Sequence, residues 1–299
     1  MVSDGGAVHG LSRGRHINVI PDSGHNGGCW PFAPTVVPPH SLWTGDVRLM
    51  HSPSHDAATN MALDEAMLLS AGEHGWTLVR LYSWDQPSVS FGRNQRCDGI
   101  YTRERCEALG VPAVRRPTGG RALLHARELT YAVAAPNSSA ASLRSGYEAI
   151  NQLLLQALNA IGVPAGLASP TARCLPPGLA PCFETPSVGE LVVGAQKLVG
   201  SAQHRDALAF VQHGSILLDD DQGLLRDLAL VELPAMPPPA TVSSCRSDVG
   251  YGGVATAISG ALRDVVTGTI VEMSEDELPE HHVMAATSRY RDPRWTWRR

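Results

Sequence analysis

The chain has 299 residues, enough to bury a sizeable core, and its 43% apolar and 18% charged content is that of an ordinary globular protein rather than a disordered one. A net charge of −5 leaves no electrostatic footprint for nucleic acid, and no apolar run approaches the roughly 18 residues of a membrane span. The first residues, "MVSDGGAVHGLSRGRHINVI", carry no apolar stretch of the kind a secretory leader needs, so a cytoplasmic, soluble protein is expected.

Residues 1–40 are rich in Gly, Pro, Ser and His without apolar periodicity and read as a flexible extension. Order is expected from "LWTGDVRLM", where Val47 and Leu49 alternate as in a strand. A helix follows from about Ala57 to Leu69, with Asp56 as its cap and Gly72 as its stop. "WTLVRLYSW" and "SVSFG" read as strands separated by the turn signal "DQP". A helix near Tyr101–Leu109 stops at Gly110, and "VPAVRRPTGGRALLHARELTYAVAA" supplies three short strands around a glycine loop. Ile150, Leu153, Leu154, Ala157, Leu158 and Ile161 share one face of the clearest helix, which Gly162 closes. Strands are expected at Val188–Val193, Lys197–His204 and Ala209–Leu217, then a helix at about Gln222–Leu228. "LPAMPPPATVSS" reads as a proline-rich linker, Val254–Val266 as a last helix, and Ser274 with Glu277 as a capping box. The class is α+β with a mixed, largely antiparallel sheet flanked by helices. The sketch is an extension to residue 40, a catalytic domain over 41–235, and a linker with a helical segment over 236–299.

Two segments carry candidate chemistry. In "RRPTGGRALLH" the pair Gly119–Gly120 lets backbone N–H groups approach a ligand, and Arg115 and Arg116 suit a phosphate or carboxylate. A hairpin turn with surface arginines fits the same residues. In "APCFETPSVGELVVGAQKLVGSAQHR", Lys197 lies in an apolar strand, three residues before Gly200-Ser201-Ala202, where desolvation would make it usable as a base. Cys182 sits in a loop bounded by prolines, so a buried packing thiol and an accessible thiolate are both open. His213 and Gly214 lie inside the strand "FVQHGSILL", where a glycine suggests a bulge or the close approach of a ligand. The six cysteines contain no C-x-x-C pair, and their spacing fits no zinc site.

In this order, "NMALDEAML", "VRLYSWDQPSVSFGRNQ", "RRPTGGRALLHARELTYAV", "KLVGSAQ" and "QHGSILL" resemble the lipoate-protein ligase, octanoyltransferase and biotin-ligase superfamily. "APCFETPS" followed by "KLVGSAQ" is most similar to its cysteine-dependent octanoyltransferase branch. The resemblance implies a transferase of lipoate biosynthesis in two steps. Cys182 would take octanoyl from the thioester of acyl carrier protein. A lysine of a lipoyl domain, in the glycine-cleavage H protein or a 2-oxoacid dehydrogenase, would then accept it as an amide. Lys197 would deprotonate Cys182 or the amine and bind the acyl carbonyl. Arg115, Arg116, Thr118, Gly119, Gly120, Arg121 and His125 would line the acyl slot, with Gly200, Ser201, Ala202, His213 and Gly214 as further substrate contacts. A thioester donor needs no nucleotide, metal or other cofactor. The chain departs from the family pattern at Ala126, Gly189 and Ala195-Gln196. An ATP-dependent ligase with no need of Cys182, a non-catalytic paralogue that binds lipoyl domains, and an amidotransferase between lipoyl domains are the alternatives.

Overall fold

The computed structural model describes residues 40–140, 142–168, 189–234 and 237–298. Expectations for the N-terminal extension before His40, and for Cys182 and Val188, fall outside these residues. Strand β1 (Val47–His51) leads to Asp56, whose side chain accepts the Thr59 N–H and caps α1 (Ala57–His74). The helix runs past Gly72 and ends at Gly75, whose φ of 72° supplies the left-handed turn. Gly72 answers a packing need instead, since a Cβ there would lie 2.9 Å from the Leu208 Cβ.

Chain order continues with β2 (Thr77–Tyr82), β3 (Ser88–Phe91), α2 (Arg103–Ala108), β4 (Ala113–Arg115), β5 (Leu123–His125) and β6 (Glu128–Pro136). The amphipathic α3 (Leu143–Ala160) buries Ile150, Leu153, Leu154, Ala157 and Leu158 on one face. Next come β7 (Gly166–Leu167), β8 (Leu191–Val193), β9 (Gln196–Lys197), β10 (Val199–Arg205), β11 (Ala209–Leu217) and α4 (Leu224–Leu228). Within the stretch expected as a linker, Val242–Cys245 forms α5 under a Thr241 cap; the helix expected at Val254–Val266 is present as α6 (Tyr251–Val265), and β12 (Ile270–Glu272) follows. The Ser274–Glu277 capping box is present. Two further helices, α7 (Glu280–Arg291) and α8 (Pro293–Thr296), follow it.

The main sheet has six strands in the order β10-β11-β6-β2-β1-β12. Its β10–β11, β11–β6 and β6–β2 pairs are antiparallel, and its β2–β1 and β1–β12 pairs are parallel. The architecture is α+β, as the sequence indicates. Period-two alternation splits β6 between the two faces. Leu129, Tyr131, Val133 and Ala135 join the core under α3 and α6, while Ala132 and Ala134 join the core under α1 and α7. Covered on both faces, β2 and β11 are buried along their whole length, β11 with Gln212, His213, Gly214 and Ser215 at its centre.

A second sheet, β4-β3-β5, packs with α2 and α4 around Val89, Phe91, Tyr101 and Leu225. The third, β7-β8-β9, is antiparallel. The strand expected from Lys197 to His204 is therefore broken. Lys197 pairs with Val192 in the β8–β9 hairpin, whose turn uses Gly194 at φ 60°, and β10 starts only at Val199.

Candidate active site

The glycine loop after β4 is held against the end of β3 by close backbone contact. A Cβ on Gly92 would lie 2.0 Å from the Gly120 carbonyl oxygen, so only glycine fits there. Gly120 itself has φ 95°. Arg93 N–H donates to the Thr118 carbonyl at 2.7 Å, completing the seam.

The two arginines preceding the loop separate. The buried Arg115 guanidinium donates to the carbonyls of Thr296, Gly92 and Gln95 and approaches Cys97 Sγ at 3.2 Å. It braces the β3–β4 sheet against the C-terminal residues and is not among those lining the cavity described below. Arg116 donates through Nη1 to the Ser90 carbonyl and hydroxyl, both at 2.9 Å, and through Nη2 to the Gly119 and Arg121 carbonyls at 2.9 and 2.7 Å. Both guanidiniums hold backbone carbonyls, and Arg116 also lines the cavity described below.

Two carboxylate–imidazole–hydroxyl chains converge on this loop. In the first, His213 of β11 places Nδ1 2.8 Å from Asp64 Oδ2 and Nε2 2.7 Å from the Thr118 hydroxyl. Asp64, from α1, also accepts from Arg80 Nη1 at 3.1 Å and from Tyr82 Oη at 2.8 Å. Burial and the adjacent Asp64 charge hold the Tyr82 phenol well above its ordinary value.

In the second chain, His125 of β5 places Nδ1 2.7 Å from Glu128 Oε1 and Nε2 2.7 Å from the Ser90 hydroxyl. Each carboxylate fixes an Nδ1–H tautomer, leaving Nε2 to accept from a hydroxyl. Trp84 stacks on the His125 ring at 3.8 Å between centroids and donates its indole N–H to Thr130 Oγ1 at 2.9 Å. Burial pushes the His125 imidazole below its ordinary value, against the opposing pull of Glu128.

Between these chains lies a cavity with an apolar side of Met61, Tyr82, Trp84 and Leu123. Ser90, Arg116, His125 and His213 give it a polar side, and the Gly200–Ala202 stretch of β10 runs along it with Gly214 and Ser215 of β11. Of the residues proposed from sequence, Arg116, His125, Gly200, Ser201, Ala202, His213 and Gly214 meet there. Thr118 reaches it through His213, while Gly119, Gly120 and Arg121 belong to the loop that Arg116 braces. The bulge expected at Gly214 is absent, since the β10–β11 register runs unbroken. The close approach there is strand to strand, because a Cβ at Gly214 would lie 2.6 Å from the Gly200 carbonyl oxygen.

Lys197 lies outside the residues lining the cavity and is buried, at 4% exposure. Its Nζ donates to Glu190 Oε1 at 2.9 Å, and Glu190 is itself buried. A carboxylate at that distance is the partner a buried ammonium needs. Cys182 lies outside the described residues. Gly189, one of the departures from the family pattern, has φ 82°, a backbone state that favours glycine.

Ser90, Trp84, Asp64, Glu128 and Glu190 take part in the site but were absent from the sequence reading. The available signals were carboxylates set among apolar residues, in "MALDEAML", "HARELTYAV" and "GELVV".

Among relatives, the chain is 43% identical over 197 residues to "Octanoyltransferase LipM" of Kyrpidia tusciae, covering 63% of this chain and 71% of that protein. It is 32% identical over 280 residues to "Octanoyltransferase LipM" of Bacillus subtilis, covering 84% and 98%. Among solved structures, lipoate-protein ligase A bound with ATP aligns with a TM-score of 0.69 at 20% identity, covering 85% of this chain and 98% of that one. That likeness concerns the fold. Residues 56–249 match the lipoyl protein ligase A/B catalytic domain, and the chain belongs to that family.

Proposed function

We propose that the protein is an octanoyltransferase of lipoate biosynthesis. It moves an octanoyl group from the phosphopantetheine thioester of acyl carrier protein to a lysine of a lipoyl domain, in the glycine-cleavage H protein or a 2-oxoacid dehydrogenase. Supporting this is the identity with proteins named octanoyltransferase over most of the chain, together with a cavity whose apolar side suits an alkyl chain. Burying the roughly seven methylenes of an octanoyl chain at about 0.8 kcal/mol each would supply several kcal/mol of binding.

In this reading Cys182 is the nucleophile. The Cys182 thiol gives up its proton as its sulfur attacks the donor carbonyl; the new C–S bond forms, the C–S bond to the carrier breaks, and the carrier's sulfur takes up that proton and leaves as a thiol. Lys197 acts at the acyl carbonyl as a hydrogen-bond donor whose position the Glu190 contact fixes. The acceptor amine then attacks the acyl-enzyme and releases Cys182. A thioester exchanges with a thiolate without prior activation, so no nucleotide enters either step.

Mass spectrometry after incubation with octanoyl carrier protein, without ATP, tests the reading. A thioester adduct on Cys182 is expected, and Cys182→Ser should abolish transfer to a lipoyl domain. An enzyme that needs ATP and works without Cys182 is a ligase instead.

A further inference from the structure

Where α7 packs on the end of α1, away from the cavity, two imidazoles gather round one carboxylate. Glu73 lies in the last turn of α1, and His281 and His282 lie in the first turn of α7. His282 Nε2 sits 2.8 Å from Glu73 Oε2, and the His281 and His282 rings are 4.0 Å apart between centroids. One ligand atom from each of the three residues falls within 4.8 Å of the others. A tetrahedral zinc site, with bonds of about 2.0–2.2 Å, spaces its ligand atoms about 3.4 Å apart. The separations here straddle that value, and side chains as exposed as those of Glu73 and His281 reach it by rotation.

The chemistry of the three side chains selects the ion. Two imidazoles with one carboxylate suit zinc and its first-row neighbours, whereas magnesium and calcium take oxygen ligands. Each neutral imidazole offers one lone pair when its N–H sits on the other ring nitrogen. Glu73 pairs with no arginine or lysine among the described residues, since its ionic neighbours are His282 and, at 4.0 Å, His74. No fixed cation therefore neutralises its charge. His74 is engaged with the Trp76 ring, 4.4 Å between centroids, and is not one of the three. The C-terminal end of α1 favours a cation and the N-terminal end of α7 opposes one by a similar amount, so the ligands decide.

We propose that Glu73, His281 and His282 bind a divalent first-row transition-metal ion of the zinc class, which clips the start of α7 onto the end of α1. Water completes the coordination, and the role is structural, apart from the transfer chemistry. In α7 only Ala286 and Tyr290 are buried, both beyond the first turn, so packing holds that turn weakly. A metal bridge there joins positions 209 apart in the chain, where a cross-link restricts the chain most.

Zinc titrated into the full chain, first stripped with a chelator, tests the site. The melting temperature should rise by about 5 °C at roughly a hundred-fold excess of zinc over Kd, and hydrogen exchange should slow in Glu280–Arg291. Magnesium should do neither. Neither histidine is buried, so His281→Ala and His282→Ala should fold normally. Each should weaken zinc binding at least about ten-fold, since losing even an outer partner of a ligand costs that much, and should remove the protection of α7. The first equivalent of cobalt(II) in place of zinc distinguishes these ligands from the cysteines. It should give a visible ligand-field band without the near-ultraviolet band of thiolate ligation. Unchanged zinc binding in both histidine variants, a thiolate band, an equal response to magnesium, or zinc that leaves both the melting temperature and α7 exchange unchanged overturns the proposal.

Discussion

Gly92 and His125 show how single residues set the site. Alanine at Gly92 would drive a methyl into the Gly120 carbonyl at 2.0 Å, and neither partner is a flexible side chain. The loop must shift, and it carries Thr118 and the two carbonyls that Arg116 holds. Gly92→Ala should therefore cost about 1–3 kcal/mol of stability by overpacking and reduce transfer more than ten-fold, checked by thermal melting beside a transfer assay. The sign of the His125 effect on stability also follows from its burial. Its folded-state value lies below the ordinary 6.5, so below that pH the unfolded chain takes up a proton that the folded one refuses. Stability should fall as pH drops from about 6.5 towards the lowered value. In His125→Gln this dependence should be weaker, so the difference in melting temperature between the two proteins narrows on acidification.

At the scale of elements, α1 shows what periodic patterns reveal and what they omit. Its apolar positions Met61, Leu63, Met67 and Leu68 and its Asp56 cap are plain in the sequence and are buried and capped as expected. The helix also buries Asp64 and Glu65, which no apolar period explains. Their partners arrive from distant segments, Asp64 from β2 and β11 and Glu65 from α7, so a local reading has no access to them. The same limit applies to Glu128 and Ser90, whose meaning comes from the pairing of β3 with β5. α7 was invisible for a different reason, since only Ala286 and Tyr290 are buried on an otherwise polar helix. Its anchor is the Tyr290 hydroxyl, which donates to Glu65 Oε2 at 2.7 Å, beside the contact of Arg289 with Glu65 Oε1. Tyr290→Phe leaves a buried carboxylate oxygen short of a donor and should cost about 1–3 kcal/mol. Thermal melting should report it, with hydrogen exchange rising in Glu280–Arg291.

Across the whole molecule, the C-terminal residues return to both the main sheet and the site. β12 extends the main sheet beside β1, α7 lies on α1, and the residues after it reach the second sheet. There the Trp295 indole N–H donates to the Arg115 carbonyl at 2.7 Å, and the Thr296 carbonyl accepts from Arg115 Nε at 2.8 Å. Arg298 donates to the Arg93 carbonyl, one residue beyond the glycine that seats the loop. Residues almost two hundred positions from the glycine loop therefore support the strand that presents it. Removing residues 279–299 would strip Tyr290 from Glu65 and leave the fully buried Arg115 guanidinium without one of its carbonyl partners. Breaking contacts to buried charged groups is worth about 1.5–3 kcal/mol each, and the uncovered apolar face of α1 adds to that loss. The truncated protein should melt at least about 10 °C lower, since each kcal/mol moves a domain of this size by about 2–4 °C. A single change probes the second support. Trp295→Phe removes the N–H donated to Arg115 and trims the ring that Arg298, Arg289 and Tyr290 face, and should lower the melting temperature by a few degrees, while transfer falls further than that loss of stability accounts for. Transfer measured well below the melting point checks this, because a contact that merely stabilised the fold would leave the rate unchanged there.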